Sequence, residues 1–323
     1  MPNVEVTIIP PLDGEFVRGW PGIPPSLENP PAGVQGDVVV QTLKEGVSAQ
    51  WVRIELRKVE VLPGGGENNT FYDGLGPHPL TLWGADDKYN NLYSQRLPFF
   101  IGIPDSTPPT VTLQNRAGIR YELVATVCMK GKGVLSREKN ATVRKMVPVI
   151  IDKHELHSPW PIYCQPEKQE VTGADGNLTI ERRQTCHGPG DHISVAATFK
   201  LNSTYRVVVL QGLELTLKEL INFRTTYDKP PLTLLADVAE TKLPVNTTVY
   251  AGRMTYQTEL ACQVPRTHST PTISTAHHVY VTYHLSIKAL LNTGMHIVKD
   301  FPVIITNWER CDAQPPLFFL AIS

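Results

Sequence analysis

Between Val279 and Leu291 every second residue is apolar: Val279, Val281, Tyr283, Leu285, Ile287, Ala289 and Leu291 alternate with a set that includes Thr282, His284, Ser286 and Lys288. A helix would scatter these residues around its circumference, so the pattern specifies a strand with one dry face and one wet face. Residues 118–128 repeat it, with Ile119, Tyr121, Leu123, Ala125 and Val127 on one side and Arg120, Glu122 and Thr126 on the other. Shorter versions place Val52, Ile54 and Leu56 against Arg53, Glu55 and Arg57, and Leu213, Leu215 and Leu217 against Glu214, Thr216 and Lys218. Further strands are expected at 4–9, 37–42, 97–103, 110–113, 143–151, 191–201, 205–211, 247–260 and 296–305. The 28 prolines and 23 glycines interrupt the chain often enough to leave little room for long helices. One-sided strands separated by turn residues predict antiparallel sheets packed face to face, and hence an all-β protein.

A chain of 323 residues has the length of two ordinary domains. The segment Ser158-Pro159-Trp160-Pro161-Ile162-Tyr163-Cys164-Gln165-Pro166 marks the division, since its three prolines cannot pair in a sheet interior and favour an extended connector. The expected organisation is a β-sandwich over 1–157, a Pro-rich linker over 158–166, a second sandwich over 167–310 and a tail over 311–323. Both halves close with a proline-broken apolar strand, Met146-Val147-Pro148-Val149-Ile150-Ile151 in one and Phe301-Pro302-Val303-Ile304-Ile305 in the other. This similarity of order suggests a tandem of two similar sandwiches.

Composition narrows the function. With 30 basic and 31 acidic side chains, there is no general positive field to hold a phosphate backbone, so nucleic acid is not an expected partner. The five cysteines are far apart and form no C-x-x-C pair, which fits a reducing compartment. The start of the chain lacks the basic and apolar regions of a secretory signal, and no run of 18 apolar residues occurs; a cytoplasmic location is expected, with the five N-x-Ser/Thr sequons unread.

The sequence has no nucleophile elbow, phosphate-cradling loop, dinucleotide fingerprint or zincin helix. Gly64-Gly65-Gly66 and Gly131-Lys132-Gly133 lie between strands and read as loops. Cys186, His187 and His192 form the nearest metal-like constellation, with His277 and His278 a second. Neighbouring strand residues face opposite ways, however, so neither set predicts a site. Asp86 with Asp87, and Asp152 with Glu155, are carboxylate pairs of a kind any domain offers. No enzyme activity, metal or cofactor is expected.

Binding is the better expectation, because broad sheet faces and edge strands can take an extended peptide by strand addition. Arg53, Arg57 and Lys58 lie on or near the outer face of one strand, Lys130 and Lys132 follow another, and Arg144 and Lys145 begin the last strand of the first half. These seven residues are candidate contacts for acidic or phosphorylated peptides; the plainer alternative is solvated strand faces and edge-protecting lysines. Reversing Arg53, Arg57 and Lys58 to glutamate is expected to weaken partner binding with little change in stability. Separately, Gly188-Pro189-Gly190-Asp191 before an alternating strand predicts a turn in which glycine takes positive φ and Asp191 caps free amides.

Several segments in order also resemble a known family. Gly36-Asp37-Val38-Val39-Val40, then Trp51-Val52-Arg53-Ile54-Glu55-Leu56, then Leu97-Pro98-Phe99-Phe100-Ile101-Gly102-Ile103-Pro104, then Gly118-Ile119-Arg120-Tyr121-Glu122-Leu123-Val124-Ala125 resemble the N-terminal sandwich of arrestin-like proteins. The second half is similar to the C-terminal sandwich through Gly188-Pro189-Gly190-Asp191-His192-Ile193-Ser194-Val195, Val279-Tyr280-Val281-Thr282-Tyr283-His284-Leu285 and Phe301-Pro302-Val303-Ile304-Ile305. The resemblance spans about residues 4–308 and is strongest to the fungal α-arrestin branch. It implies a non-enzymatic cytosolic adaptor for cytoplasmic tails or loops of membrane transporters or receptors, acting in ubiquitin-linked endocytosis, trafficking or signalling, with recruitment to the plasma membrane or endosomes.

The family commonly recruits a HECT-type ubiquitin ligase through P-P-x-Y motifs, and none occurs here. Either a longer tail carries them or ligase recruitment is not this chain's task; the apolar ending Pro315-Pro316-Leu317-Phe318-Phe319-Leu320 favours the first. The first strand, Val4 to Ile9, has an acid and no base, so the phosphate-triggered switch of visual-type arrestins is not expected. Alternatives are a coat-type subunit resembling the arrestin-fold component of retromer and, in a different class, a β-sandwich enzyme or carbohydrate-binding module.

Overall fold

The computed structural model describes residues 4–27, 29–43, 45–131, 139–154, 158, 160–201, 207–226, 230–249 and 255–309. This part of the chain is all-β, its only helical segments being three one-turn 3-10 helices. It falls into two compact units, Met1–Glu155 and Leu156–Ser323.

The first unit contains β1 (Val4–Ile9), β2 (Val17–Arg18), β3 (Gly33–Thr42), β4 (Val47–Val61), β5 (Thr70–Gly84), β6 (Asn90–Leu92), β7 (Gln95–Gly102), β8 (Val111–Thr112), β9 (Gly118–Gly131) and β10 (Lys139–Val149). In one sheet β3 pairs with β1 and β2 along one edge and with β7 along the other. The second sheet runs β10-β9-β4-β5, with β6 added on β4 and β8 on β9. Its alternating residues meet in register: Val52, Ile54 and Leu56 of β4 lie opposite Val127, Ala125 and Leu123 of β9, and all six are fully buried. Val6 and Ile8 of β1 and Val38 and Val40 of β3 are also buried, giving each sheet of the sandwich an apolar inner face.

The second unit contains β11 (Glu167–Thr172), β12 (Gly176–Arg182), β13 (Cys186–His187), β14 (His192–Leu201), β15 (Val208–Phe223), β16 (Leu232–Val249), β17 (Thr255–Gln263), β18 (Val279–Leu291) and β19 (Ile297–Ile305). One sheet runs β11-β12-β14-β17 and the other β13-β19-β18-β15-β16; the β13–β19 pair is parallel and the remaining ladders are antiparallel. Leu178, Ile180, Phe199, Leu215, Tyr283 and Phe301 fill the space between them. Arg182 ties the sheets together: it pairs with Glu167, donates from Nη1 to the Pro302 carbonyl at 2.9 Å and lies 5.2 Å from the Phe301 ring centroid.

The predicted turn before β14 is present. Gly190 has φ +83°, and the Asp191 carboxylate accepts the Gly188 N–H at 2.8 Å.

The connector is a correction. Among its described residues, Ser158 and Tyr163 anchor the segment to the second unit, so it is not a free extended spacer. Ser158 is fully buried, Pro161–Tyr163 forms a 3-10 turn, the Tyr163 carbonyl accepts the Thr185 N–H at 2.9 Å, and the Gln184 amide donates to the Ser158 carbonyl at 2.7 Å. The prolines exclude this segment from a ladder, but its carbonyls remain acceptors that fold it back.

Strands at β5, β11, β12 and most of β16 were not expected. In β5 the run Gly74 to Pro79 breaks the alternation, and the pairing with β4 jumps from Ile54↔Leu80 to Leu56↔Leu75. Such an irregularity with prolines is tolerated because β5 ends its sheet. The expected single strand 247–260 is instead β16 ending at Val249 and β17 starting at Thr255, with residues 250–254 outside the described set. Residues 205–206 and the tail 311–323 also lie outside it.

Candidate functional site

Four of the seven candidate cations share one outward-facing surface, the outer face of the β5-β4-β9-β10 sheet. Strand alternation puts Arg53 and Arg57 of β4 opposite the side that carries Ile54 and Leu56. The ladders align Arg53 with Thr126 of β9 and Thr126 with Arg144 of β10, forming a cross-strand row with an arginine on either side. Two rows further along, Arg57 is level with Glu122 and Pro148. Lys130 falls on the same face near the end of β9, with its Nζ 5.7 Å from the Tyr89 ring centroid. The Tyr89 hydroxyl in turn donates to the Asn140 side chain of β10.

Neighbouring charges decide which cations remain available to a partner. Arg57 pairs with Glu55, and Arg120 with Glu122 at 3.1 Å, so these arginines are largely neutralised within their own strands. Among the described residues Arg53 is held without a carboxylate: its guanidinium stacks 4.4 Å from the Trp51 ring centroid and its Nε donates to Thr81 Oγ1 at 3.2 Å. Arg144 is exposed on β10, and among the described residues no carboxylate lies within ion-pair distance of it. The central strand beneath is screened, since Val124, Thr126 and Cys128 are buried although they point outward.

The other three candidates leave this surface. Lys58 is on the inner face: its side chain is 5% exposed and its Nζ lies 2.7 Å from Glu60, whose side chain is 0% exposed, and 3.2 Å from Asp73 of β5. Its placement with Arg53 and Arg57 is therefore corrected. The signal was available in the numbering, because 58 and 60 share the parity of 52, 54 and 56. Lys145 is exposed, but it is level with Ala125 and so projects to the opposite side of the sheet from Arg144. Lys132 lies outside the described residues.

The cysteine and histidine constellations resolve differently. Cys186 and His187 are buried in β13, whereas His192 is exposed at the start of β14. His278 Nδ1 bonds the Arg224 carbonyl at 2.7 Å. Burial pushes the Cys128 and Cys186 thiols up, and that of Cys262 to about 11, which keeps all three in the unreactive protonated form at neutral pH.

One polar cluster in the second unit was not anticipated. Tyr283 of β18 is 1% exposed, and its hydroxyl bonds Glu219 of β15, the Thr270 carbonyl at 2.7 Å and His268 Nε2 at 2.8 Å. Burial lowers the His268 pKa below the ordinary 6.5, against an opposing pull from Glu219. Because the folded state resists a proton that the unfolded chain accepts, this contribution to stability is complete above about pH 6.5 and declines as the pH falls through that value towards the lower folded pKa. Melting measured from about pH 7.5 to about pH 5.5 should therefore fall less steeply for His268→Gln than for the parent. Equal slopes would show that another group carries the acid sensitivity.

The sequence matches no family model and no curated protein.

Proposed function

We propose that the chain is an arrestin-like adaptor built of two immunoglobulin-like sandwiches. It holds extended acidic segments from cytoplasmic parts of membrane transporters or receptors and links them to trafficking or downregulation. The observation carrying this reading is the Arg53–Thr126–Arg144 row on a sheet whose end strand, β10, contains Lys139, Arg144 and Lys145 and no carboxylate. An end strand has one ladder of main-chain groups open to an added strand, and a carboxylate-bearing side chain on that strand would meet Arg144 with Arg53 beyond it. Charge-assisted bonds to arginine then favour acidic over neutral sequences.

The test is fluorescence anisotropy with a labelled dodecapeptide of alternating glutamate and threonine, and with a lysine counterpart as control. The glutamate peptide should bind, and the Arg53→Glu, Arg144→Glu double variant should bind it at least tenfold more weakly, about 1.4 kcal/mol or more. Its melting should change only modestly: Arg144 is exposed, and half-buried Arg53 gives up one ring stack and one hydrogen bond at the sheet surface, where a charge contributes about 0–1 kcal/mol. An affinity unaltered by the double substitution would remove this face from the proposal. At the level of the cell, isolation of the native protein should bring down membrane transporters or receptors together with a ubiquitin ligase. A stoichiometric coat complex would argue for the coat-type alternative.

A further inference from the structure

A cleft of about 840 Å³ opens in the first unit beside the turn that follows β2, walled by Phe16, Trp20, Pro148 and Ile150 and flanked by Asp152 and His154. Main-chain bonds fix both sides of it. His154 N donates to the Pro21 carbonyl at 2.9 Å and Ile23 N to the Trp20 carbonyl at 3.0 Å; Thr110 N donates to the Ile151 carbonyl at 2.8 Å and its Oγ1 accepts the Ile151 N–H at 2.9 Å. The turn needs glycine at position 19, where φ is +69° and a Cβ would stand 3.0 Å from the Ala32 Cα. It presents Trp20, 42% exposed, with its ring perpendicular to that of His154 at a centroid distance of 4.9 Å. Such walls are organised before any ligand arrives, which lowers the cost of binding one.

The charges around the cleft do not balance. Arg18 also lines it, but its guanidinium is committed to Asp13 through two N–H···O bonds of 2.6 and 2.7 Å. Burial lowers the His154 pKa, so its imidazole is neutral at physiological pH and supplies no cation. Ile151 and Lys153 are buried while the intervening Asp152 turns out to the cleft, and burial against its wall raises the carboxyl above its ordinary value. Glu15 lines the same space. Among the described residues no cation lies within ion-pair distance of Asp152 or Glu15.

An aromatic and aliphatic cleft with two carboxylates that form no ion pair among the described residues, Glu15 lying only in the field of Arg18, complements a cation carried on an apolar stem. We infer that it is a second peptide-binding site, which takes an arginine side chain from an extended partner segment, with the guanidinium stacked on Trp20 and bonded to Asp152. Arginine fits better than lysine because its planar, weakly hydrated group can stack on an aromatic face and present paired donors to a carboxylate together. The volume lies in the usual range for ligand clefts and leaves room for residues flanking the arginine. This site has the opposite charge preference to the Arg53–Arg144 face and does not depend on it.

Calorimetric titration of the whole chain with acetyl-Ala-Pro-Arg-Pro-Ala-amide tests the inference, using peptides with citrulline or lysine in place of arginine as comparisons. The arginine peptide should bind, citrulline should weaken it at least tenfold, and lysine should bind more weakly than arginine. Asp152→Asn should lower affinity at least tenfold without shifting the melting temperature, and Trp20→Ala should lower it at least tenfold, whereas the Arg53→Glu, Arg144→Glu protein should bind undiminished. No binding of the arginine peptide, equal binding of the citrulline peptide, or undiminished binding by Asp152→Asn would overturn the site. Equal binding of the lysine peptide would overturn its assignment to arginine.

Discussion

Lys58→Ala is expected to destabilise the first unit by about 3–5 kcal/mol, the range seen when one partner of a buried ion pair is removed. Lys58 Nζ sits 2.7 Å from Glu60, whose side chain is wholly shielded from solvent, and both point to the inner face beside Tyr121 and Ile119 of β9. Deleting the ammonium takes a charged partner from a fully buried carboxylate, and the loss follows mainly from that carboxylate's desolvation rather than from the attraction itself. A control separates the two effects: Lys58→Met combined with Glu60→Leu removes both charges while keeping similar volume, and should recover most of the loss. Urea unfolding followed for the first unit measures both proteins. A Lys58→Ala protein as stable as the parent would mean that the pair is hydrated. The same geometry revises the expectation for the triple glutamate reversal, in which Lys58→Glu would place two carboxylates together in the interior and confound stability with binding.

Tyr283→Ala should cost the second unit about 3–5 kcal/mol, as expected for deleting a buried aromatic ring. The ring is 1% exposed in the middle of the β15-β18-β19 region, and its hydroxyl is the common partner of Glu219, His268 and the Thr270 carbonyl. Tyr283→Phe keeps the packing and removes only the hydroxyl, so about 1–3 kcal/mol is expected from the polar groups it leaves behind. Thermal unfolding of both variants checks the order. If phenylalanine were as costly as alanine, the hydroxyl network rather than the ring would hold this corner; if neither change mattered, the inward face of β18 would be wrongly assigned.

Much of the architecture was legible because alternation is a local consequence of the extended backbone. The strand expected at 4–9 is β1, and the alternating run 279–291 is β18. What escaped was strand structure without alternation: β5, where Gly74, Gly76, Pro77 and Pro79 interrupt the pattern, and β16, where most side chains are at least partly exposed. Sheet ends need only one ladder and no continuous dry face, so their sequences are less constrained. The candidate face was legible only in part. Arg53 and Arg144 are 91 positions apart in the chain, and nothing local announces that Thr126 stands between them. The arginine cleft was not legible at all, because Trp20 and Asp152 come together only where the turn after β2 meets the chain leaving β10.

The sequence by itself determined that this chain makes one-sided strands and stacked sheets, since side-chain periodicity and proline and glycine placement act over a few neighbouring residues. Only the tertiary structure decided which charges are surface and which are interior. It buried Lys58 against Glu60, turned Lys145 away from Arg144, folded the proline segment onto the second unit and left Asp152 facing an aromatic cleft. The reason is that a charge's environment depends on which distant strands pair beside it and in what register, and pairing between strands far apart in sequence is settled by the packed whole.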